Sequence, residues 1–370
     1  MLIEIHMMKS FPPTNLNRDE SGAPKTCYYG GVQRGRISSQ CLKHAWRENS
    51  AFFQTYRGIR TRKMPEQVCE RLKEMGVDPA YLDVVLSKLT GFGNKEGNEA
   101  DDGQTSQIIF YSAEDIEAIA QTVKETLDGC KSVSDVKKLG VKTWQAKLKA
   151  AARPISLDMA LFGRMVTDDA FRNVEASMQV AHAISTHAVN LETDFFTAVD
   201  DLKDAANGDD AGSAMMGDCD YDACCYYLYA ALDTDQLVKN AQGSPEVLSA
   251  LPQVVSELVR AMAFTNPSGK QNTFAGHTLP ALVAVERKTE KVPVSYAAAF
   301  EKPVFSRDGY AAKSVEVLAK HVDKVAHNYG VRTDERLWFC PICDASPDEA
   351  VKMETLPQLL ERVQTWMAEA

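Results

Sequence analysis

The hydrophobic period of this chain changes repeatedly along its length, and that succession limits the possible folds more than any single motif does. Residues 2–9 alternate, with Ile3, Ile5 and Met7 on one face and Glu4, His6 and Met8 on the other, the pattern of a half-buried strand. Helical spacing takes over at about 38–50, and alternation returns over 174–187 through Val174, Ala176, Met178, Val180 and Ile184, a second strand, with a helix the alternative there. A tyrosine-rich strand follows at 224–232. A helix over about 246–264 is capped by Ser244 with Pro245 in its first turn, and a fourth strand runs 280–287. The order is β-α-β-β-α-β, so the chain is predicted to be α+β with the ferredoxin-like arrangement of RNA-recognition folds.

Two insertions interrupt that order. Residues 55–153 carry helical patterns at 65–76, 79–89 and 113–128 around a polar loop at 91–106. Residues 200–223 surround Gly212-Ser213-Ala214-Met215-Met216-Gly217 with Asp, Gly and Ala, which reads as a protruding hairpin with an apolar tip.

The chemistry concentrates ahead of the first helix. Gly30-Gly31-Val32-Gln33-Arg34-Gly35-Arg36 is glycine-rich and basic, and Ser38 or Ser39 can cap the helix that follows. Free N–H groups and the positive end of the dipole would then meet a ligand that the glycines let come close, as a phosphate backbone would. Gln40, Lys43, His44 and Arg47 form one stripe of that helix, predicted to be exposed, and Leu42, Ala45, Trp46 and Asn49 form the packed one. Residues 1–64 hold eleven Lys and Arg against four acids, although the whole chain carries −10. That asymmetry suits a polyanion held in one groove, with acidic surface elsewhere limiting stray contacts.

At 370 residues and 45% hydrophobic composition the chain can bury a large core in one elaborate domain or a few subdomains. Its first residues lack the form of a secretory signal, and no run of 18 apolar residues occurs, so a cytoplasmic protein without a membrane partner is expected. Nine cysteines, including Cys224-Cys225, suit a reducing compartment rather than a disulfide framework.

Leu16-Asn17-Arg18-Asp19, Tyr29-Gly30-Gly31, Arg36-Ile37-Ser38-Ser39-Gln40, Leu42-Lys43, Gly163-Arg164-Met165, Ala181-His182-Ala183-Ile184-Ser185-Thr186-His187 and Phe196-Thr197-Ala198-Val199-Asp200-Asp201-Leu202, in this order and spacing, resemble the CasC family, the backbone subunit of type I-E CRISPR Cascade complexes. Gly269-Lys270-Gln271-Asn272-Thr273-Phe274 and Ala299-Phe300-Glu301-Lys302 extend the likeness.

The resemblance implies a hand: a palm of the RNA-recognition type (1–54, 154–199 and 224–370), helical fingers (55–153) and a β-hairpin thumb (200–223). It implies a non-catalytic subunit, without cofactor or metal, that polymerises head-to-tail along a guide RNA and displays bases for pairing with a target DNA strand. The other partners would be the large subunit, the small subunit, the subunit capping the guide 5′ end and the guide-processing endoribonuclease. The guide contacts expected are Arg18, Lys25, Arg36, Ser38, Gln40, Lys43, Arg47, Arg164, Met165 and Lys270, and Met215 and Met216, flexible apolar side chains between small residues, can supply the wedge such a thumb needs. A subunit that accepts any guide must hold phosphate and ribose rather than base edges.

Other chemistries fit the residues less well. His182 and His187, five apart, converge on one ion neither as helix nor as strand. Cys340-Pro341-Ile342-Cys343 is half a zinc knuckle with no second half following it, and Ser268-Gly269-Lys270-Gln271 lacks the remaining elements of a phosphate-binding loop. The acid pairs Asp168-Asp169, Asp200-Asp201 and Asp209-Asp210 frame the alternative, a metal-dependent RNA-cleaving backbone subunit.

Overall fold

The computed structural model describes residues 1–93, 96–100, 102–149, 153–166, 170–198 and 215–368, which form two compact units. The first comprises 1–50, 180–231 and 255–370, and the second 51–179 and 232–254.

A large sheet organises the first unit. Its strands run Val351–Lys352, Glu335–Phe339, Leu282–Lys288, Leu2–Ser10, Cys225–Asp233, Ala183–Ser185, Val32–Ile37 and Thr26–Tyr29. The four strands legible in the sequence are adjacent within it, in the order fourth, first, third, second. The 174–187 segment forms two three-residue strands, Met178–Val180 and Ala183–Ser185, instead of one. What reads in sequence as a glycine-rich loop is a hairpin, Thr26–Tyr29 against Val32–Ile37, turning on Gly30 and Gly31 with positive φ.

Leu2–Ser10 is buried on both faces, not one. The helix Tyr310–Tyr329 and the short helix Tyr296–Phe300 cover its second face, packing Val315, Leu318, Val322 and Phe300 with Leu2 and Met8. Glu4 and His6 therefore lie in the interior, where buried charge is costly unless paired. Glu4 pairs with Lys288 and accepts from the Tyr229 hydroxyl. Glu286 meets Arg336 Nε at 2.7 Å and Lys288 Nζ at 3.3 Å, and His6 Nδ1 lies 2.8 Å from the Tyr227 hydroxyl. Glu4, His6 and Glu286 could gather round a metal ion, but Lys288 and Arg336 already neutralise both carboxylates.

The second unit is mainly helical. Met64–Glu74, Pro79–Leu89 and Ala113–Asp128 match the sequence patterns and pack Val68, Leu72, Val85, Leu89, Ile119 and Val123 around Trp144. Ser112 and Asp115 form a capping box at the start of the third helix. A two-stranded ladder, Ile59–Thr61 with Ile109–Tyr111, was not evident from the sequence.

Of the hairpin read over 200–223, residues 215–223 are described. Glu192–Ala198 pairs antiparallel with Met215–Tyr221, from Glu192↔Tyr221 to Ala198↔Met215, as a ladder separate from the large sheet. The intervening 199–214 lie outside the described residues, as do Asp168 and Asp169.

Candidate nucleic-acid interface

Three segments of the first unit build the cationic site. Ser38 caps the helix Ser39–Asn49, its Oγ accepting from Cys41 N at 3.3 Å, while its own N–H donates to Asn17 Oδ1 at 2.9 Å. The helix start is thereby tied to the loop that carries Arg18. In that loop Asp19 Oδ1 accepts from Ser21 N, Ser21 Oγ and Ala23 N, and the Ser21 hydroxyl, ahead of the backbone donors, draws its carboxyl below the usual range. Lys25 N donates to Asn17 O, and Arg36 N donates to Lys25 O, both at 2.8 Å.

Arg18, Lys25 and Arg36 line one open cleft of about 700 Å³ with Asp19, Glu20, Ser21 and Thr26. A second cleft, of about 620 Å³, shares Arg18 and continues past Cys41, His44 and Glu48 to Ser268 and Gly269. Gly269 presses onto the chain there: a Cβ at that position would lie 2.4 Å from Leu16 O. Lys270 follows it in the left-handed conformation at φ 51°, a strained backbone for a lysine. Arg36 Nε donates to Thr26 O at 3.1 Å, and its Nη1 lies 3.0 Å from His182 Nδ1. His182, a residue the sequence reading set aside, lies at the surface and belongs to this cluster; partial loss of solvent around the ring, then Arg36 and Lys25, lower its pKa.

Not every predicted contact faces outward. On the helix, Gln40 and His44 are exposed and Lys43 is half-buried, but Arg47 is buried beside Trp46 and Asn49 is exposed, the reverse of their predicted positions. Arg34 is wholly interior, donating to the carbonyls of Tyr29, Ser185, Phe300 and Glu301. The glycines follow suit. A Cβ at Gly30 would stand 1.7 Å from Glu301 O, and one at Gly35 would meet Tyr226, Cys224 and Asp222, so protein rather than ligand fills the space they leave. Of the turn pair only Gly31 faces open space.

Arg164 and Met165 belong to the second unit. Arg164 is buried, with Nη1 on Asp115 at 2.5 Å and on Phe110 O, and Nε on Arg172 O. Arg153 holds the other oxygen of Asp115 at 2.8 Å. Arg164 is thus a structural cation, in contrast to the guide contact that the resemblance implies. Met165 beside it is 93% exposed.

Met215 and Met216 are exposed on the separate ladder, opposite Ala198 and Thr197. Phe195 and Phe196, on the facing strand, add exposed aromatic surface that the sequence reading did not assign. The Phe196 ring covers Gly217 across the ladder, where a Cβ would come within 2.6 Å of it. His187 is structural: its Nε2 accepts from Cys225 N, its Nδ1 meets Ala188 O, and its ring stacks on Tyr310 at 3.8 Å. Cys340 and Cys343 are free thiols with sulfurs 3.5 Å apart.

Residues 3–364 match the family described as CT1975-like protein. A chain of a solved structure described as "CRISPR RNA-guided surveillance complex, pre-nicking" superposes with a TM-score of 0.84 at 28% identity, covering 99% of this chain and 100% of that one. A chain of a second, described as "CRISPR RNA-guided surveillance complex", gives 0.62 at 24% identity with 99% of each covered, a likeness of fold alone. No curated protein matches.

Proposed function

The chain belongs to the CT1975-like protein family, and from that premise we propose that it is the guide-RNA-binding backbone subunit of a Cascade-type CRISPR surveillance complex. The observation that carries this reading is the gathering of Arg18, Lys25 and Arg36 in one open cleft, within a chain that superposes along its whole length on a chain of such a complex. Cations fixed by backbone contacts, with no base-reading pocket required, suit a subunit that must accept any guide sequence.

In this reading the first unit is a palm of the RNA-recognition type, the helices of the second unit are fingers, and the ladder of Glu192–Ala198 with Met215–Tyr221 belongs to the thumb. Met215 and Met216, with Phe195 near them, supply apolar surface against an unstacked base, since flexible side chains tolerate every base. Copies arranged head-to-tail along the guide would display its bases to a target DNA strand, with the large, small, cap and endoribonuclease subunits completing a type I-E particle. The subunit itself acts as a scaffold rather than a nuclease.

The nucleic acid that copurifies from a native host tests the proposal. A discrete guide of repeat-spacer form supports it, and an RNA-free monomer overturns it. Incubation of labelled RNA with Mg²⁺ or Mn²⁺ tests the scaffold role. Regular cuts abolished by Asp168→Ala or Asp200→Ala would establish the nuclease alternative.

A further inference from the structure

We propose that His182 is a positioning residue: as the neutral, Nε2-protonated tautomer it fixes the Arg36 guanidinium as a phosphate donor in the cleft, an inference that rests on the guide-binding reading above. A guanidinium has donors and no acceptor. The 3.0 Å approach of Arg36 Nη1 therefore makes His182 Nδ1 the acceptor and leaves the ring proton on Nε2. An imidazolium carries a proton on both nitrogens and could not make this contact.

The second hold on Arg36 is the Thr26 carbonyl, which receives Nε at 3.1 Å. Fixed at Nε and Nη1, the guanidinium keeps Nη2 without a protein partner among the described residues, beside Lys25 and Arg18 in the same cleft. Sheet register places all the parts. Arg36 pairs with Ile184, two residues beyond His182, and Gly35 pairs with Thr26. Burial and the positive charges of Arg36 and Lys25 favour the neutral ring that the contact demands.

This geometry separates position from charge. Without His182, Arg36 keeps one anchor and regains rotamer freedom, which must be lost again when RNA binds. His182→Ala should weaken binding of random single-stranded RNA about three- to tenfold while leaving the slope of log affinity against log salt unchanged. Arg36→Ala should reduce that slope by about 0.7. His182→Asn, whose Oδ1 can take the place of Nδ1, should restore most of the affinity. His182→Lys adds a cation but no acceptor and should bind more weakly than wild type.

Nitrogen NMR of histidine-labelled protein without RNA should show His182 as the Nε2–H tautomer near neutral pH. The proposal is overturned by an imidazolium or Nδ1–H tautomer there, by His182→Lys binding as tightly as wild type, or by His182→Asn behaving like His182→Ala. Failure of wild type itself to bind RNA would instead overturn the guide-binding reading, and the tautomer measurement would still report on the Arg36 contact.

Discussion

Glu4 and Glu286 face each other directly across two neighbouring strands, both buried, a pairing that would be repulsive without cations between them. Lys288 meets both carboxylates and Arg336 meets Glu286. Burial alone would raise the Glu286 carboxyl, but His6, Arg336 and Lys288 outweigh it and hold it at about 2. A depressed carboxylate stabilises the fold above its unfolded pKa, about 4.5, and loses that contribution as pH falls toward 2. Glu286→Gln should therefore lower stability at pH 7 by about 3 kcal/mol, with the gap to wild type closing between pH 4.5 and 2 in denaturant titrations. Asp222, raised by burial to about 6, titrates with the opposite sign, and comparison of the two proteins cancels it.

Cleft-lining and interior cations of the basic sector should respond differently to substitution. Arg18→Ala and Lys25→Ala should each reduce the salt slope of single-strand binding by about 0.7 with little change in Tm. Arg34→Met removes the donor from four carbonyls, those of Ser185 and Phe300 buried, and should cost about 3 kcal/mol of stability with the salt slope intact. Filter binding alongside thermal melts checks both; a reduced slope for Arg34→Met would place that residue in the groove.

The turn glycines provide a second comparison. Gly31→Ala carries only the strain of a left-handed backbone, about 1 kcal/mol. Gly30→Ala adds a collision with the Glu301 carbonyl and should cost about 3 kcal/mol or more. Equal unfolding midpoints for the two variants would contradict the packing described here.

Arg164→Met should destabilise by about 3–5 kcal/mol, because buried Asp115 loses one of its two cations and keeps Arg153 and the Ser112 N–H. Limited proteolysis should then open the second unit first. An undiminished melting temperature would show that the Arg164–Asp115 pair contributes nothing.

Met215→Gly with Met216→Gly should leave the salt slope nearly intact while removing part of the roughly 1–3 kcal/mol that a base gains on an apolar or aromatic platform. 2-Aminopurine placed along a guide should brighten periodically in the wild-type assembly and stay dim in the variant. Persistent brightening would move the wedge to another side chain, with Phe195 the next to test.

Local periodicity made three strands, Leu2–Ser10, Cys225–Asp233 and Leu282–Lys288, and two helices, Ser39–Asn49 and Pro245–Phe264, legible, because alternation and 3.6-residue spacing are properties of neighbouring residues. Coverage by distant chain was not legible in that way. Arg47 shares a helical stripe with Lys43 and is nevertheless buried, and Glu4 alternates as a surface residue would although a helix more than 300 residues later covers it. The partnership of Arg36 with His182 spans 146 positions, beyond the reach of any spacing argument. The C-terminal third carried overlooked local signals: Val315, Leu318, Ala319 and Val322 recur at helical spacing ahead of Gly330, which ends Tyr310–Tyr329 in the left-handed conformation.

The two outer strands of the large sheet, Thr26–Tyr29 and Val351–Lys352, are four and two residues long. A subunit proposed to line up in many copies thus has, at the margins of this sheet, little open backbone on which a second copy could add a strand. At that sheet, ordered growth would be left to side-chain surfaces and to the RNA template, so that the length of the array would follow the guide.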